Sequence, residues 1–304
     1  MTDANISAFS SFLADRYSIL KATQQNDGRR KLKLTLATDF WSLDQETKDQ
    51  YARVSSDAAK ADALLSVLEE IHDDDDELDC TPGMGIIVRT DYSDDPAWDG
   101  FVSALKDAEK DLFSPEDDET PAAGGPAEGS VAVAGEPDTE SDEEMDAVNV
   151  NGEGQLSSTD IFTLVNPALP ALRSRLAGIS NLTALRFFND VDIVPAPRPP
   201  QGTHRIRPGS RIMDLNGLLE VYTGDLVWVY DAQSNRDRSV RLVNQKCETY
   251  GAATADSWRP RVSFLPELQV NLVSGAMKID FGGLDRWDFK ERQRNLAETE
   301  IMPW

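Results

Sequence analysis

Two histidines, His72 and His204, and two cysteines, Cys80 and Cys247, are all that this 304-residue chain has of the two most versatile catalytic side chains, and that scarcity limits its chemistry. The cysteines lie in different regions, so they form neither a disulfide framework nor a metal-ligand cluster, and a reducing compartment is expected. A Ser-His-Asp or Cys-His arrangement would rest on His204 alone, in a loop rich in Arg, Pro and Gly, and an enzyme would use Asp231, Asp256 or His204. Asp91, Asp94 and Asp95 could build a magnesium site, but no phosphate loop or partner carboxylate accompanies them and the same residues suit the start of a helix. Ser93 can accept from free backbone amides, acidic groups favour the positive helix end, and Pro96 is tolerated in a first turn. The run His72-Asp73-Asp74-Asp75-Asp76-Glu77 lacks the alternating ligands and central glycine of a calcium loop. With no phosphate-loop or dinucleotide glycine pattern either, neither a cofactor nor a metal is expected.

Charge is distributed as unevenly as the catalytic residue types are sparse. Residues 1–155 hold 37 Asp and Glu against 12 Lys and Arg, and residues 156–304 hold 17 against 18, which together give the net −24. Such asymmetry speaks to partners and solubility. Residues 73–83 read as an acidic spacer, and residues 114–158, rich in Pro, Gly, Ala, Ser, Asp and Glu, read as a disordered acidic linker that cannot offset its chain entropy by burial. Ser141, flanked by Glu140, Asp142, Glu143 and Glu144, suits an acidophilic kinase. Arg198, Arg205, Arg207 and Arg211 form a basic patch able to receive a phosphate, a nucleic acid or the chain's own acidic linker. The intramolecular contact is favoured, with the acidic segments expected to inhibit the basic surface. No apolar run is long enough to cross a bilayer, and the first residues lack a signal peptide's pattern, so an intracellular protein is expected, in the nucleus or alternatively the cytoplasm.

These residues are carried by elements that can be read from periodicity. Ile6, Phe9, Phe12, Leu13 and Leu20 recur at helical spacing, Leu32, Leu36 and Phe40 repeat every four residues, and Tyr51, Val54, Leu64, Leu65 and Leu68 mark a third helix capped by Ser42 or Asp44. The alternation KLKLTL at 31–36 also permits a strand. In this region Ser7-Ala8-Phe9, Leu20-Lys21, Leu32, Leu36, Phe40 and Glu46-Thr47-Lys48-Asp49-Gln50-Tyr51 fall in the order and spacing that resembles the high-mobility-group box. The resemblance covers residues 1–72 and implies a three-helix module that contacts DNA or chromatin, with Phe9, Phe12, Phe40, Trp41 and Tyr51 wedged where the three helices meet. Arg16, Lys21, Arg29, Arg30, Lys31 and Lys33 are the cations that would meet phosphate. The chain departs from the pattern where DNA bending is concerned. Residues 1–62 balance nine basic against nine acidic groups, Ser10 and Arg29 stand at the wedge positions, and Phe40 replaces the usual Trp.

Residues 84–113 read as a buried strand over Gly85–Tyr92 followed by a helix whose inner face is Trp98, Phe101, Val102 and Leu105. Too small to fold alone, the pair is expected to pack on the C-terminal domain. The stretch RTDYSDDPAW within it is similar to one in uncharacterised fungal proteins, which implies a family and no activity. Residues 159–304 read as a β-rich domain: strands at Arg211–Leu215, Leu218–Tyr222, Leu226–Tyr230 and Val240–Asn244 in a meander, then Arg261–Leu265, Leu268–Val273 and Lys278–Phe281, and a terminal helix over Trp287–Leu296. Tyr250–Arg261 has the mixture of a ligand loop. The expected fold is therefore α+β, with a mostly antiparallel sheet and flanking helices. Three functions fit: a non-enzymatic nuclear factor with a degenerate box, tuned by its acidic segments; a cytosolic protein-binding adaptor whose C-terminal domain carries the function; and a hydrolase-like enzyme of unknown substrate.

Overall fold

A computed structural model describes residues 7–55, 84–113, 156–158, 161–197, 201–202, 211–212, 215–224, 226–247, 251–281 and 288–300. Three helices come first: α1 (Ala8–Thr23), α2 (Arg29–Ser42) and α3 (Gln45–Ser55). Ser7 caps α1, its hydroxyl accepting from the Ser10 amide at 3.2 Å, and Asp44 accepts from the Thr47 amide at 2.8 Å before the first turn of α3. The KLKLTL run is helical, because Leu32, Leu36 and Phe40 must share one buried face, a requirement that outweighs strand-like alternation. Phe40 takes Phe9 and Phe12 edge-on at 5.6 and 5.7 Å, and Phe12 takes Tyr51 at 5.3 Å, geometries that suit aromatic quadrupoles. Leu64, Leu65 and Leu68, the acidic run after His72, Cys80 and almost all of the expected linker lie outside the described residues.

The C-terminal part is built on two sheets. The larger has the strand order β2-β3-β1-β6-β7-β8, with β1 (Gly85–Arg89), β2 (Leu156–Ser158), β3 (Phe162–Val165), β6 (Leu226–Tyr230), β7 (Arg241–Cys247) and β8 (Gly251–Trp258). The smaller pairs β4 (Asn189–Pro195) with β5 (Leu218–Gly224). Mixed α+β architecture with mostly antiparallel pairing is present, but β1 runs parallel to both its neighbours, β3 and β6. A strand so enclosed is buried on both faces, which explains why Gly-Ile-Ile-Val-Arg does not alternate in polarity. On one face Ile87, Phe162, Trp228 and Tyr230 pack against Trp98, Phe101 and Leu105 of α4 (Asp95–Phe113). On the other, Ile86, Val88, Val227 and Val229 pack against Leu182, Leu185 and Phe188 of α6 (Asn181–Phe188), which follows α5 (Pro170–Leu176).

Several expected strands are corrected. Leu268–Val273 belongs to a helix, α8 (Leu265–Val273), preceded by a tight helical turn at Val262–Phe264 where a strand over Arg261–Leu265 was expected; Pro266 at the helix start provides the rigid φ that a first turn favours. Lys278–Phe281 is not a strand. The supposed ligand loop Tyr250–Arg261 is largely β8, held to β7 around an irregularity between Asn244 and Lys246. The meander is broken as well, since β5 pairs with β4 and β6 joins the other sheet. Asn216-Gly217 does form the tight turn, with φ of 54° and 87°, but among the described residues of the strand expected before it, 211, 212 and 215, only Leu215 makes a bridge, to Leu218. The final helix is α9 (Phe289–Glu300).

The N-terminal helices do not stand apart from this body. Their core of Phe9, Phe12, Leu32, Leu36, Phe40 and Trp41 is continuous with Val191 and Ile193 of β4, and Leu215, Leu218 and Tyr222 pack against it. Helical amphipathicity shows that an apolar face exists without showing what covers it. Here the β4–β5 hairpin covers it.

Candidate functional site

The six cations expected to meet phosphate are placed as follows. Arg29 reaches down from α2 to Asp190 on β4 with two contacts from one guanidinium nitrogen, at 3.0 and 2.8 Å, and Lys33 approaches the same carboxylate at 3.3 Å. These two cations hold the Asp190 carboxyl below the ordinary range even though burial works against its charge. Lys31 pairs with Asp27 at 2.5 Å and Arg16 with Asp15 at 3.2 Å, and the side chains of both cations are more than half exposed. Lys21 lies in the last turn of α1, where its charge suits the negative helix end, and Arg30 follows Arg29 in the first turn of α2. The helices thus bring Arg29 and Lys33 together, but around a carboxylate of the chain itself.

A second knot ties the helices to the body. Glu220 of β5 is completely buried; it accepts from the Trp41 indole at 2.8 Å, from Arg186 Nε at 3.1 Å and through the other side of the Arg186 fork, and from the Tyr222 hydroxyl. Burial opposes the charge on Glu220, yet Arg186 and the Tyr222 hydroxyl keep its carboxyl below the ordinary range. Beside it, Arg211 and Lys48 each lie 5.6 Å from the Trp41 ring. Lys48 donates to the Trp41 carbonyl at 3.1 Å, and burial lowers its ammonium from the ordinary lysine range. Of the basic patch expected at 198–211, Arg211 is described, and it donates to the Thr299 carbonyl in α9; Arg198, Arg205, Arg207 and His204 lie outside the described residues.

The third concentration of charge lies where the parallel strands end. In sheets with helices on both faces, the crevice beyond the strand carboxyl ends is where ligands gather, at the point where successive connections leave for opposite faces. After β1 the chain turns to α4 on one face; after β3 it turns to α5 and α6 on the other. The three candidate magnesium ligands sit here and each has a structural task. Asp91 accepts from Ser93 N at 2.9 Å and from Asn235 at 2.9 Å, Asp94 caps α4 by accepting from Ala97 N at 2.9 Å, and Asp95 pairs with the buried Arg89 at 2.6 Å. Arg89 also lies against the Tyr92 and Trp98 rings, at 5.1 and 5.2 Å, and burial pushes the Tyr92 hydroxyl up to about 12. Gly178, between α5 and α6, donates to the Thr90 carbonyl at 2.8 Å and so brings the start of α6 over this edge.

Next to β1, Asp231 follows β6 and is clamped by Arg259 at 3.1 and 2.5 Å, with Arg241 at 3.4 Å; its carboxyl stays below the ordinary range against the effect of burial. It also orders the turn into α7 (Ser234–Asp237), accepting from the Gln233 and Ser234 amides. Asp256, the other carboxylate considered for an enzyme, is buried in β8. Asp231 is therefore the anion of a double-arginine clamp, and its depressed pKa suits an ion-pair partner better than a general base near neutral pH.

The start of α6 completes this edge. Ser180 caps the helix by accepting from Thr183 N at 2.9 Å, while α9 supplies acceptors for the remaining free amides: Glu291 takes Asn181 N at 2.7 Å and Asn295 takes Leu182 N at 3.2 Å. Glu298 accepts from the Ser180 hydroxyl and from the Thr183 hydroxyl at 3.1 Å. This cluster joins residues about a hundred positions apart, so the chain carries one local signal of it, the SerAsnLeuThr start at 180–183. Among the described residues no group of His, Cys, Asp and Glu could hold a metal ion, and no helix is long and apolar enough to cross a membrane. Comparison with protein-family models, with curated proteins and with solved structures finds no match for this chain.

Proposed function

We propose that this protein is a non-enzymatic adaptor that binds a protein partner through its C-terminal body, into which the N-terminal helices are built. The observation that supports this reading is the use made of the helices' polar groups. Arg29 and Lys33, cations that a DNA-binding box would turn outward, close on Asp190, and Trp41 donates to Glu220, so these contacts hold α2 to the β4–β5 hairpin. Cations already neutralised by a carboxylate release fewer counterions on meeting a phosphate backbone, and affinity falls with them. The second reading, a nuclear factor touching DNA or chromatin, draws support from Arg16 and Lys31, whose side chains are 55% and 53% exposed.

A gel-shift titration of the full chain on four-way-junction DNA across a range of salt separates the two. The adaptor reading expects weak binding that is gone by about 0.15 M salt, where exposed charges are screened beyond roughly 8 Å. Tight binding with a steep salt slope, reduced by neutralising Arg16 and Lys31, would establish the DNA reading in its place.

A further inference from the structure

We infer that the start of α6, together with Arg241, is a binding seat for a phosphate-type dianion, and that Glu291 and Glu298 of α9 are its resident substitutes. The helix start presents the Asn181, Leu182 and Thr183 amides at its positive end, beside the Ser180 and Thr183 hydroxyls, the group set that holds oxyanions at helix N-termini. Every acceptor that α9 supplies there except Asn295 is a carboxylate. Glu291 bridges the site, with one oxygen on the Asn181 amide and the other 3.9 Å from Arg241.

The independent observation is that buried donors at this place lack partners. Arg241 is 8% exposed, its carboxylate neighbours stand at 3.4, 3.9 and 3.9 Å, and its Nε has no hydrogen-bond acceptor. A guanidinium has five N–H donors in a planar fork suited to a tetrahedral oxyanion, and leaving one buried and unsatisfied is costly. Asn295 is fully buried; its oxygen faces Leu182 N while its Nδ2 has no partner. Asn181 Oδ1 is also unpartnered, but it is an acceptor and adds nothing to the donor set, and Asn181 Nδ2 is engaged on the Ala255 carbonyl at 3.0 Å. Two carboxylates on a helix meet this donor set incompletely. A dianion with three acceptor oxygens can meet more of it.

This inference rests on α6, β7 and α9 and is independent of the N-terminal helices, so DNA binding or its absence leaves it standing. The test follows the amide resonances of Asn181, Leu182 and Thr183 in the isotopically labelled full chain during titration with inorganic phosphate and with phenyl phosphate, against sodium chloride at matched ionic strength. The parent should respond weakly, since the carboxylates compete. Glu291→Gln with Glu298→Gln should bind at least ten-fold more tightly, and adding Arg241→Met should abolish the response. Tighter binding of phenyl phosphate identifies a monoester carried on a larger molecule as the ligand; equal binding identifies free phosphate. The inference is overturned if saturating phosphate leaves these three amides unmoved in the folded double variant, or if Arg241→Met binds as well as its parent. Should the double variant fail to fold, hydrogen exchange in the parent decides. Phosphate must then slow exchange at 181–183 relative to chloride, and equal rates refute the seat.

Discussion

Replacing Glu220 by Gln tests whether one buried carboxylate holds the N-terminal helices to the body. The substitution keeps the shape and one acceptor oxygen, so Trp41 or Tyr222 can retain a partner, but it removes the charge facing Arg186, whose side chain is 5% exposed. Breaking a buried ion pair from one side costs about 3–5 kcal/mol, because the surviving ion is left without compensation. Set against a total stability on the order of 5–15 kcal/mol, this is a large fraction. At about 2–4 °C per kcal/mol for a body of this size, the melting temperature should fall by roughly 6–20 °C. Urea unfolding followed by circular dichroism at pH 7 measures the cost directly, and hydrogen exchange should show α2 losing protection before the large sheet does. Because the folded state holds the Glu220 carboxyl below its ordinary range, its stabilisation is complete above the unfolded value near pH 4 and is lost as pH falls through the lower folded value. The gap between parent and variant should therefore narrow on strong acidification. A variant within about 1 kcal/mol of the parent at pH 7 would refute the reasoning, as would additivity of Glu220→Gln and Arg186→Met, since groups in direct contact must couple.

Gly85→Ala places a methyl carbon 2.6 Å from the Gln269 side chain, which also receives the Trp228 indole N–H at 2.7 Å; displacing it orphans that donor, and urea unfolding should register a loss of about 1–3 kcal/mol. Arg238→Gly should do the opposite, because Arg238 is exposed with φ of 54° beyond a one-turn helix; a gain of about 1 kcal/mol is expected in the melting curve, and a loss would show that the side chain has a task there. Asp190→Asn removes the carboxylate shared by Arg29 and Lys33. With the Asp190 side chain 30% exposed, solvent screening limits the cost to about 1 kcal/mol, and raising the salt to 1 M should shrink the difference from the parent.

Local signals in the chain were read correctly where one element satisfies its own requirements. The four-residue repeat of Leu32, Leu36 and Phe40 marks a helix wherever it packs, and Asn216-Gly217 marks a turn because two successive positive φ angles suit those residues. Partners are another matter. Leu218–Tyr222 is a strand in the expected place, but its neighbour, β4, precedes it by more than twenty residues, and no feature of either segment names the other. Leu265–Val273 misled because a short apolar run fits a strand and a buried helix equally, and only Pro266 hinted at a first turn. The carboxyl-edge site was hidden for the same reason: Asn181 and Glu291, or Asp231 and Arg259, are ordinary surface residue types until the fold sets them face to face.

The position of β1 has a consequence for the order in which the chain can be made. It is an interior strand of the large sheet, yet its register places Gly85 beside Phe162 and Leu226, which are 77 and 141 residues further along. At typical synthesis rates of about 5–20 residues per second, Ile86, Ile87 and Val88 wait several seconds or longer for either neighbour. During that interval this apolar strand has two open edges, the state in which strands of different chains pair with one another. Acidic residues border it on both sides, from Asp73 to Asp79 before it and at Asp91, Asp94 and Asp95 after it. Charges flanking an unavoidable apolar strand act as gatekeepers against such pairing. The carboxylates that cap and pair in the finished fold thus have an earlier occupation, keeping nascent chains apart until the sheet can close around its centre.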